Sequence, residues 1–248
     1  MPFNKKKKKY FAALLIIGDE ILSGRTQDTN TNFLANWLNE HGIQVREVRV
    51  IPDLRHEIMK SINYLRKKYD YLFTTGGIGP THDDITAESV AKAFKVKYEY
   101  NKEAYKILKD HYKNSYFNAA RKKMAKMPKG AGLILNPSSS APGFFIKNVY
   151  VLPGVPIILK SMMHYLEQLI VGGQKKLSEN IKIDFPESKV SKVFSNLQKK
   201  FKDLSLGSYP FFKSGKVGVS LVISGYSSKR IFDCKKQLLL KLKKIKPH

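Results

Sequence analysis

The sequence predicts an α/β fold: a three-layer sandwich on a mainly parallel sheet, followed by a small α+β domain. Three observations carry that expectation. Apolar runs alternate with helix-period segments through residues 10–94, the pattern of parallel strands joined by helices that cover both faces of a sheet. A glycine-rich junction, Thr74-Thr75-Gly76-Gly77-Ile78-Gly79-Pro80-Thr81-His82-Asp83-Asp84-Ile85-Thr86, lies between an apolar strand and a helix, where open α/β sheets bind ligands. After Gly172-Gly173 the order changes to strand–helix–strand–strand–helix, which predicts a compact α+β unit.

Each element has its own justification. Residues 10–17 are continuously apolar, as expected of a strand buried on both faces. The loop 18–30 leads into a helix with Phe33, Leu34, Trp37 and Leu38 on one face, ended by Gly42. At this spacing Trp37 reads as core. Residues 43–50 are strand-like, and residues 55–67 form a helix burying Ile58, Ile62 and Leu65. Tyr71-Leu72-Phe73 is the strand before the junction, and Ala87, Val90, Ala91 and Phe94 mark the apolar face of the helix after it. Residues 101–127 read as helical and lysine-rich, with Tyr105, Leu108 and Tyr112 packed. One or two strands fall within 144–152, and residues 156–169 form a helix with Ile158, Leu159, Met162, Met163 and Leu166 inward. In the last unit, strands at 181–185, 204–212 and 217–226 alternate with helices at 189–202 and 229–244, a KH-like βαββα order. The expected division is a basic tail at 1–9, a larger domain at 10–172 and a small domain at 173–248.

Composition narrows the class. A hydrophobic fraction of 42% and net charge of +25 describe a globular but very basic chain. Arg supplies only seven of the 45 basic residues, which argues against reading of base edges, where Arg is the commoner contact. The lysine excess reads as solvated surface that also attracts anions. The single cysteine, Cys234, excludes an internal disulfide and fits a reducing compartment; on a helical stretch it reads as packing. No apolar run approaches the roughly 18 residues a membrane helix needs. Lys5 to Lys9 precede an apolar stretch as in a signal peptide, but that stretch ends in Gly18-Asp19-Glu20 with no small-residue cleavage site. The expected address is the cytoplasm.

The chemistry concentrates in loops that follow strands. Gly76, Gly77 and Gly79 let the backbone approach an anion closely, and the helix start behind them adds partial positive charge. Asp83 and Asp84 supply hard oxygen ligands for a divalent metal. Asp19, Glu20, Asp28 and Asp53 converge on the same sheet edge if the sheet is parallel, and a cation offsets the cost of gathering them. Each has a plainer role open to it: a turn for Asp19, Glu20 and Asp53, a helix cap for Asp28 and Asp84. His82 reads as solvated, because a lone histidine lacks partner ligands. Asn136 and Ser140 offer amide and hydroxyl donors, and Gly143 and Gly154 allow close backbone approach.

Thr75 to Thr86 resembles the signature of the MoaB/Mog molybdopterin-binding superfamily, and within it the CinA (competence/damage-inducible protein A) branch and the N-terminal domain of eukaryotic FAD synthases. Supporting segments are Gly18-Asp19-Glu20-Ile21-Leu22-Ser23-Gly24-Arg25 with Asp28 and Asn30; Ile51-Pro52-Asp53; Asn136-Pro137; Ser140-Ala141-Pro142-Gly143-Phe144; Leu152-Pro153-Gly154-Val155-Pro156; and Gly207-Ser208-Tyr209-Pro210. The resemblance implies cleavage of ADP-ribose or an FAD-like dinucleotide with release of AMP. It implies Asp84, Asp83 and Asp53 as catalytic acids, and a divalent ion (Mg, Mn or Co) on Asp84 and Asp83, with K+ as a further ion. Gly18, Asp19, Glu20, Asn30, Gly76, Gly77, Gly79, Thr81, Thr86, Asn136, Ser140, Gly143 and Gly154 are its expected substrate contacts. It also implies a homodimer.

Two departures limit the carry-over. The chain has no nicotinamide-nucleotide deamidase domain, so that activity is not expected. Where the pattern usually places an acid after Leu152 to Pro156, this chain has Ile157, Ile158 and Leu159. Pterin binding in molybdenum-cofactor assembly is the alternative, weakened by Ile78 where dedicated pterin binders usually have threonine. Nucleic-acid binding by the lysine-rich surface is a third reading, disfavoured because aromatic–basic interleaving in the small domain is limited to Tyr209, Phe211 and Phe212.

Overall fold

In the computed structural model, which describes residues 8–213 and 216–243, the larger sheet is organised around β1 (Tyr10–Ile17). The expected basic tail lies almost wholly outside the described residues. Short α1 (Asp19–Leu22) and then α2 (Asn30–Glu40) lead to β2 (Ile43–Ile51), α3 (Arg55–Lys68), β3 (Tyr71–Thr75) and α4 (Thr86–Phe94). β4 (Tyr98–Tyr100), α5 (Lys102–His111), α6 (Ala119–Lys123) and β5 (Lys126–Pro128) follow. Then come β6 (Gly132–Ile134), β7 (Gly143–Ile146), β8 (Val149–Leu152), α7 (Pro156–Ser161) and α8 (Met163–Glu167). The six-stranded sheet has the order β2-β1-β3-β8-β7-β6. β2, β1, β3 and β8 are mutually parallel, while β7 is antiparallel to both β8 and β6.

Strand alternation builds the two cores. Ala13, Leu15 and Ile17 of β1 face α3 and α4 with Ile58, Ile62, Leu65 and Val90. Ala12, Leu14 and Ile16 face the other way, with Leu34 and Leu38 of α2, Leu159 of α7, Leu166 of α8 and Met162 between those two helices. A strand buried on both faces must be apolar throughout, which is why 10–17 lacks a polar alternation. This is the three-layer sandwich the sequence predicts.

Three local expectations are corrected. The helix expected over 101–127 is two helices, because two asparagines each start one: Asn101 accepts from the Ala104 N–H at 3.0 Å and Asn118 from the Arg121 N–H at 2.9 Å. β4 and β5, unforeseen, pair antiparallel around them. The helix expected over 156–169 breaks at Met162, where Met162 N–H bonds Leu159 O at 3.1 Å and Tyr165 N–H bonds Met162 O at 3.1 Å, the tighter i−3 spacing.

Contacts divide the chain after Gly173. The second unit runs β9 (Leu177–Ile183), α9 (Glu187–Lys200), β10 (Ser205–Lys213), β11 (Lys216–Gly225) and α10 (Ser228–Leu242), with antiparallel sheet order β10-β11-β9. Val219, Leu221 and Ile223 pack on Phe194 and Leu197 of α9 and Ile231 and Leu238 of α10. Cys234 is buried there as packing, and Pro210 is tolerated because β10 is an edge strand.

Candidate functional site

The loops after β1, β2, β3 and β8 leave the carboxyl ends of four parallel strands, so they share one edge of the sheet. β6 is antiparallel to an antiparallel neighbour of β8, so loop 135–142 emerges there too. Backbone bonds tie the loops together: Gly18 N–H to Ile51 O at 3.2 Å, Gly76 N–H to Leu152 O at 3.1 Å and Thr86 N–H to Gly77 O at 2.9 Å. The Asn30 amide reaches Gly154 O at 2.7 Å. Asp28 caps α2 by accepting from the N–H groups of Asn30 at 2.9 Å and Thr31 at 3.1 Å.

Two glycines are required where they stand. Gly76 has φ +100°, and a Cβ there would lie 2.0 Å from the Ile17 carbonyl oxygen. Gly77 has φ +67°, and its Cβ would lie 2.2 Å from the Thr86 hydroxyl and 3.4 Å from an Asp53 carboxylate oxygen. Both positions sit in the left-handed region that disfavours side chains. Among the described residues the fully buried Thr86 hydroxyl has no hydrogen-bond partner, and neither does the buried Asn30 amide oxygen.

The acids are arranged unequally. Asp84 is half-buried and accepts from the Thr81 N–H at 2.8 Å and the Thr81 hydroxyl at 2.5 Å, both on Oδ2. A Cβ on Gly79 would stand 2.7 Å from that same oxygen, so the glycine makes room for the carboxylate. Asp83 is exposed, and the Thr81 hydroxyl, its own N–H, His82 and Lys123 hold its carboxyl below the usual range. That hydroxyl has a single proton to give, and its 2.5 Å contact is with Asp84. Asp53 accepts from the Asp19 N–H at 3.0 Å. Burial pushes the Asp53 carboxyl up against that bond, and the negative charges of Asp19, Glu20 and Asp83 add to the push. The acids therefore sense one another across loops 18–30, 51–53 and 76–86.

Beside them lies a cleft of about 470 Å³. Its floor is Gly76, Gly77 and Gly79, with Glu20 and Asp84 as its acids. Pro80, Pro142, Pro153, Val155 and Ile158 supply an apolar wall, the surface a planar heterocycle needs, with few polar groups to orient it. A wider groove of about 610 Å³ beside Phe33 and Trp37 on α2 lies outside this constellation.

Most of the predicted residues meet here, and several carry a role other than the expected one. Gly18, Asp19, Glu20, Asn30, Asp53, Gly76, Gly77, Gly79, Thr81, Asp83, Asp84, Thr86 and Gly154 lie in the tied loops. Asn136 lines the cleft but spends its side chain on its own loop, donating to Ser139 Oγ at 2.7 Å and Ala141 O at 2.8 Å and accepting from Ser138 and Ser139 N–H groups. The Ser140 hydroxyl pairs with His111 Nδ1 at 3.1 Å. Gly143 lies in β7, where a Cβ would meet the Val151 carbonyl oxygen at 2.5 Å, so it serves strand packing. His82 is exposed. Lys123, Lys126 and the apolar wall had no sequence signal as site residues: the lysines stand in a lysine-rich run, and prolines in loops read as turns.

No set of three His, Cys, Asp or Glu side chains among the described residues is gathered to hold a metal ion. The donors nevertheless fit a hard divalent ion that arrives with phosphate ligands, since such an ion uses one or two carboxylates and fills its remaining positions with water and phosphate oxygens.

Residues 13–171 match the family described as "Probable molybdopterin binding domain", and residues 175–247 match the middle domain of FAD synthase. The chain belongs to the MoaB/Mog molybdopterin-binding domain family. It is 32% identical over 224 residues to a protein of Archaeoglobus fulgidus, covering 90% of this chain and 94% of that one. A CinA-like protein of Sulfurihydrogenibium is 36% identical over 69% of this chain, and a probable FAD synthase of Caenorhabditis elegans is 32% identical over 88%. The chain spans 45% and 47% of those two proteins. Among solved structures, CinA of Thermoplasma acidophilum is similar at 35% identity and TM-score 0.61, over 64% of this chain and 97% of that one. This is a CinA-like, FAD synthase-related member of the MoaB/Mog family, and no helix among the described residues is long and apolar enough to cross a membrane.

Proposed function

We propose that this MoaB/Mog-family chain hydrolyses a nucleotide pyrophosphate, ADP-ribose or an FAD-like dinucleotide, releasing AMP. Water adds across the P–O–P bond: one phosphorus takes the hydroxyl oxygen, and the bridging oxygen leaves with the other phosphoryl group. The observation that carries the reading is Asp84, turned over Gly79 at the cleft floor by both Thr81 donors. Among the described residues no hydrogen bond engages Oδ1, which stands beside the glycine-rich loop.

Asp84 and Asp83 would hold a divalent ion, which supplies neutralisation of phosphoryl charge and activation of water. Gly76, Gly77 and Gly79 bring the backbone close to the phosphates. Asp53, whose carboxyl is pushed up by burial and by its acidic neighbours, stands beside Gly77 of that loop. The apolar wall would seat the base. Kinship with a FAD synthase middle domain and a CinA-like protein supports nucleotide chemistry.

The test is chromatographic detection of AMP from ADP-ribose and from FAD, with Mg2+, Mn2+ or Co2+ and K+, and with EDTA. Metal-dependent AMP release is expected. No release from either substrate by folded protein would remove the hydrolase reading and leave pterin binding in the same cleft.

A further inference from the structure

The second unit, Gln174 to His248, holds 18 basic residues against five acids, a net charge of +13 in a chain of +25. Its helices cover one face of its sheet, where Val219, Leu221 and Ile223 of β11 pack on α9 and α10. The alternate residues of β11 turn to the other face. There the strand register sets Tyr209 of β10 and Lys182 of β9 on either side of Ser220, both exposed. Phe211, two residues along β10 and half-buried, shares that face. Each ring lies over a glycine: a Cβ on Gly207 would stand 3.0 Å from the Tyr209 hydroxyl, and one on Gly218 2.4 Å from the Phe211 ring.

Covering strand glycines with rings is one way of packing a sheet, but it leaves the charge pattern of this face unexplained. None of the unit's five acids stands on its strand positions. Glu179 lies opposite Ile223, on the helix side, and pairs with Lys235 of α10 at 2.8 Å; Asp203 pairs with Arg230 at 2.7 Å. Glu187 belongs to α9, Asp233 to α10, and Asp184 follows the end of β9. The face therefore offers aromatic surface in a positive field with no carboxylate among its strands, which complements a polyanion that carries planar groups. Rings at positions i and i+2 of a strand are about 7 Å apart, so each has room for a base of its own. Beside them the Ser220 hydroxyl donates to Asn180 Oδ1 at 2.6 Å. That bond leaves the amide N–H donors of Asn180 for a ribose 2′-hydroxyl, the group that distinguishes RNA from DNA.

We infer that the open face of the β10-β11-β9 sheet binds single-stranded RNA, with Tyr209 and Phe211 stacking two successive bases and Lys182 meeting the backbone phosphate. Stacking and a lysine point charge read no base edge, so binding has little sequence preference. The inference is independent of the hydrolase reading, since it rests on residues of the other unit. A second copy of the chain is a poorer occupant, because it would bring two surfaces of the same charge together.

The experiment is fluorescence anisotropy of a labelled mixed-sequence RNA 12-mer titrated with the full chain at low and at physiological salt. The same sequence as single-stranded DNA and as duplex RNA is run beside it. Wild type is compared with Tyr209→Leu, Phe211→Leu, Tyr209→Phe and Phe212→Leu, each checked for folding by circular dichroism. Leucine keeps an apolar cover over the glycine and removes the planar ring. Phe212 is exposed but falls on the other face by register, so its variant reports an aromatic loss outside the platform. Wild type is expected to bind the single-stranded RNA most tightly, with affinity falling as salt rises. Tyr209→Leu and Phe211→Leu should each weaken binding about five- to a hundredfold, the loss of one stacked base, while Tyr209→Phe and Phe212→Leu stay close to wild type. Salt-sensitive binding that neither leucine variant on this face weakens would reduce the effect to general charge and overturn the platform. Equal affinity for the duplex would overturn it too, and equal affinity for the DNA strand would overturn the assignment to RNA. Absence of RNA binding, with Tyr209→Leu altering the oligomeric state in gel filtration, would give the face to a second copy instead.

Discussion

At the residue scale, the site is held by atoms that leave no room for alternatives. Gly77 places its Cα where a methyl group would meet the Thr86 hydroxyl at 2.2 Å, at φ +67°. Gly77→Ala is therefore expected to cost roughly 1–3 kcal/mol of stability. A urea titration measures this, and an unchanged midpoint would mean the loop relaxes around the methyl. Away from the site, Glu47 is held down to about 2 by hydrogen bonds from Lys68, then Tyr69, with Arg49 adding to them. Its folded value lies below its unfolded one, so its contribution is fully present above about 4.5 and is lost as pH falls from there towards 2. Glu47→Gln should lose under about 1 kcal/mol at neutral pH, since the partners are near solvent. The gap between variant and wild type should close on acidification through that window; a gap constant with pH would place the effect elsewhere.

At the scale of elements, legibility followed the number of residues that carry each signal. β1 was readable because eight successive apolar residues can only satisfy two buried faces, and α3 because Ile58, Ile62 and Leu65 repeat at helical spacing. β4, β5 and β6 have three residues each, too few for an alternation to emerge. The break between α5 and α6 was written in Asn118, but the surrounding lysines keep helical propensity high and hide the second start. In the candidate site, the signature loop was legible because its glycines and acids are local. The apolar wall and the two lysines were not, because β-strand topology, invisible in the residue string, brings them to Asp84. α6 also carries a prediction. Asn118→Ala removes its cap and should cost about 1 kcal/mol. A urea titration measures this, and an unchanged midpoint would show that the cap adds nothing to stability.

At the scale of the whole molecule, a chain of net charge +25 gathers several of its 20 acids at one sheet edge. A positive field of this size is expected to draw anionic ligands in from a distance, and salt screens it over about 8 Å at physiological ionic strength. KM for ADP-ribose is accordingly expected to rise with added salt while kcat changes little; a salt-independent KM would show that the lysine excess plays no part in capture. The most direct test compares AMP release from ADP-ribose by wild type and by Asp84→Asn at equal, folded concentration with saturating divalent ion. Asparagine keeps the shape, retains an oxygen for Thr81 and removes the charge. Metal-dependent release by wild type and loss of a hundredfold or more in the variant are expected, about the effect of removing one preorganised electrostatic group. Equal release by both proteins would contradict a catalytic role for Asp84.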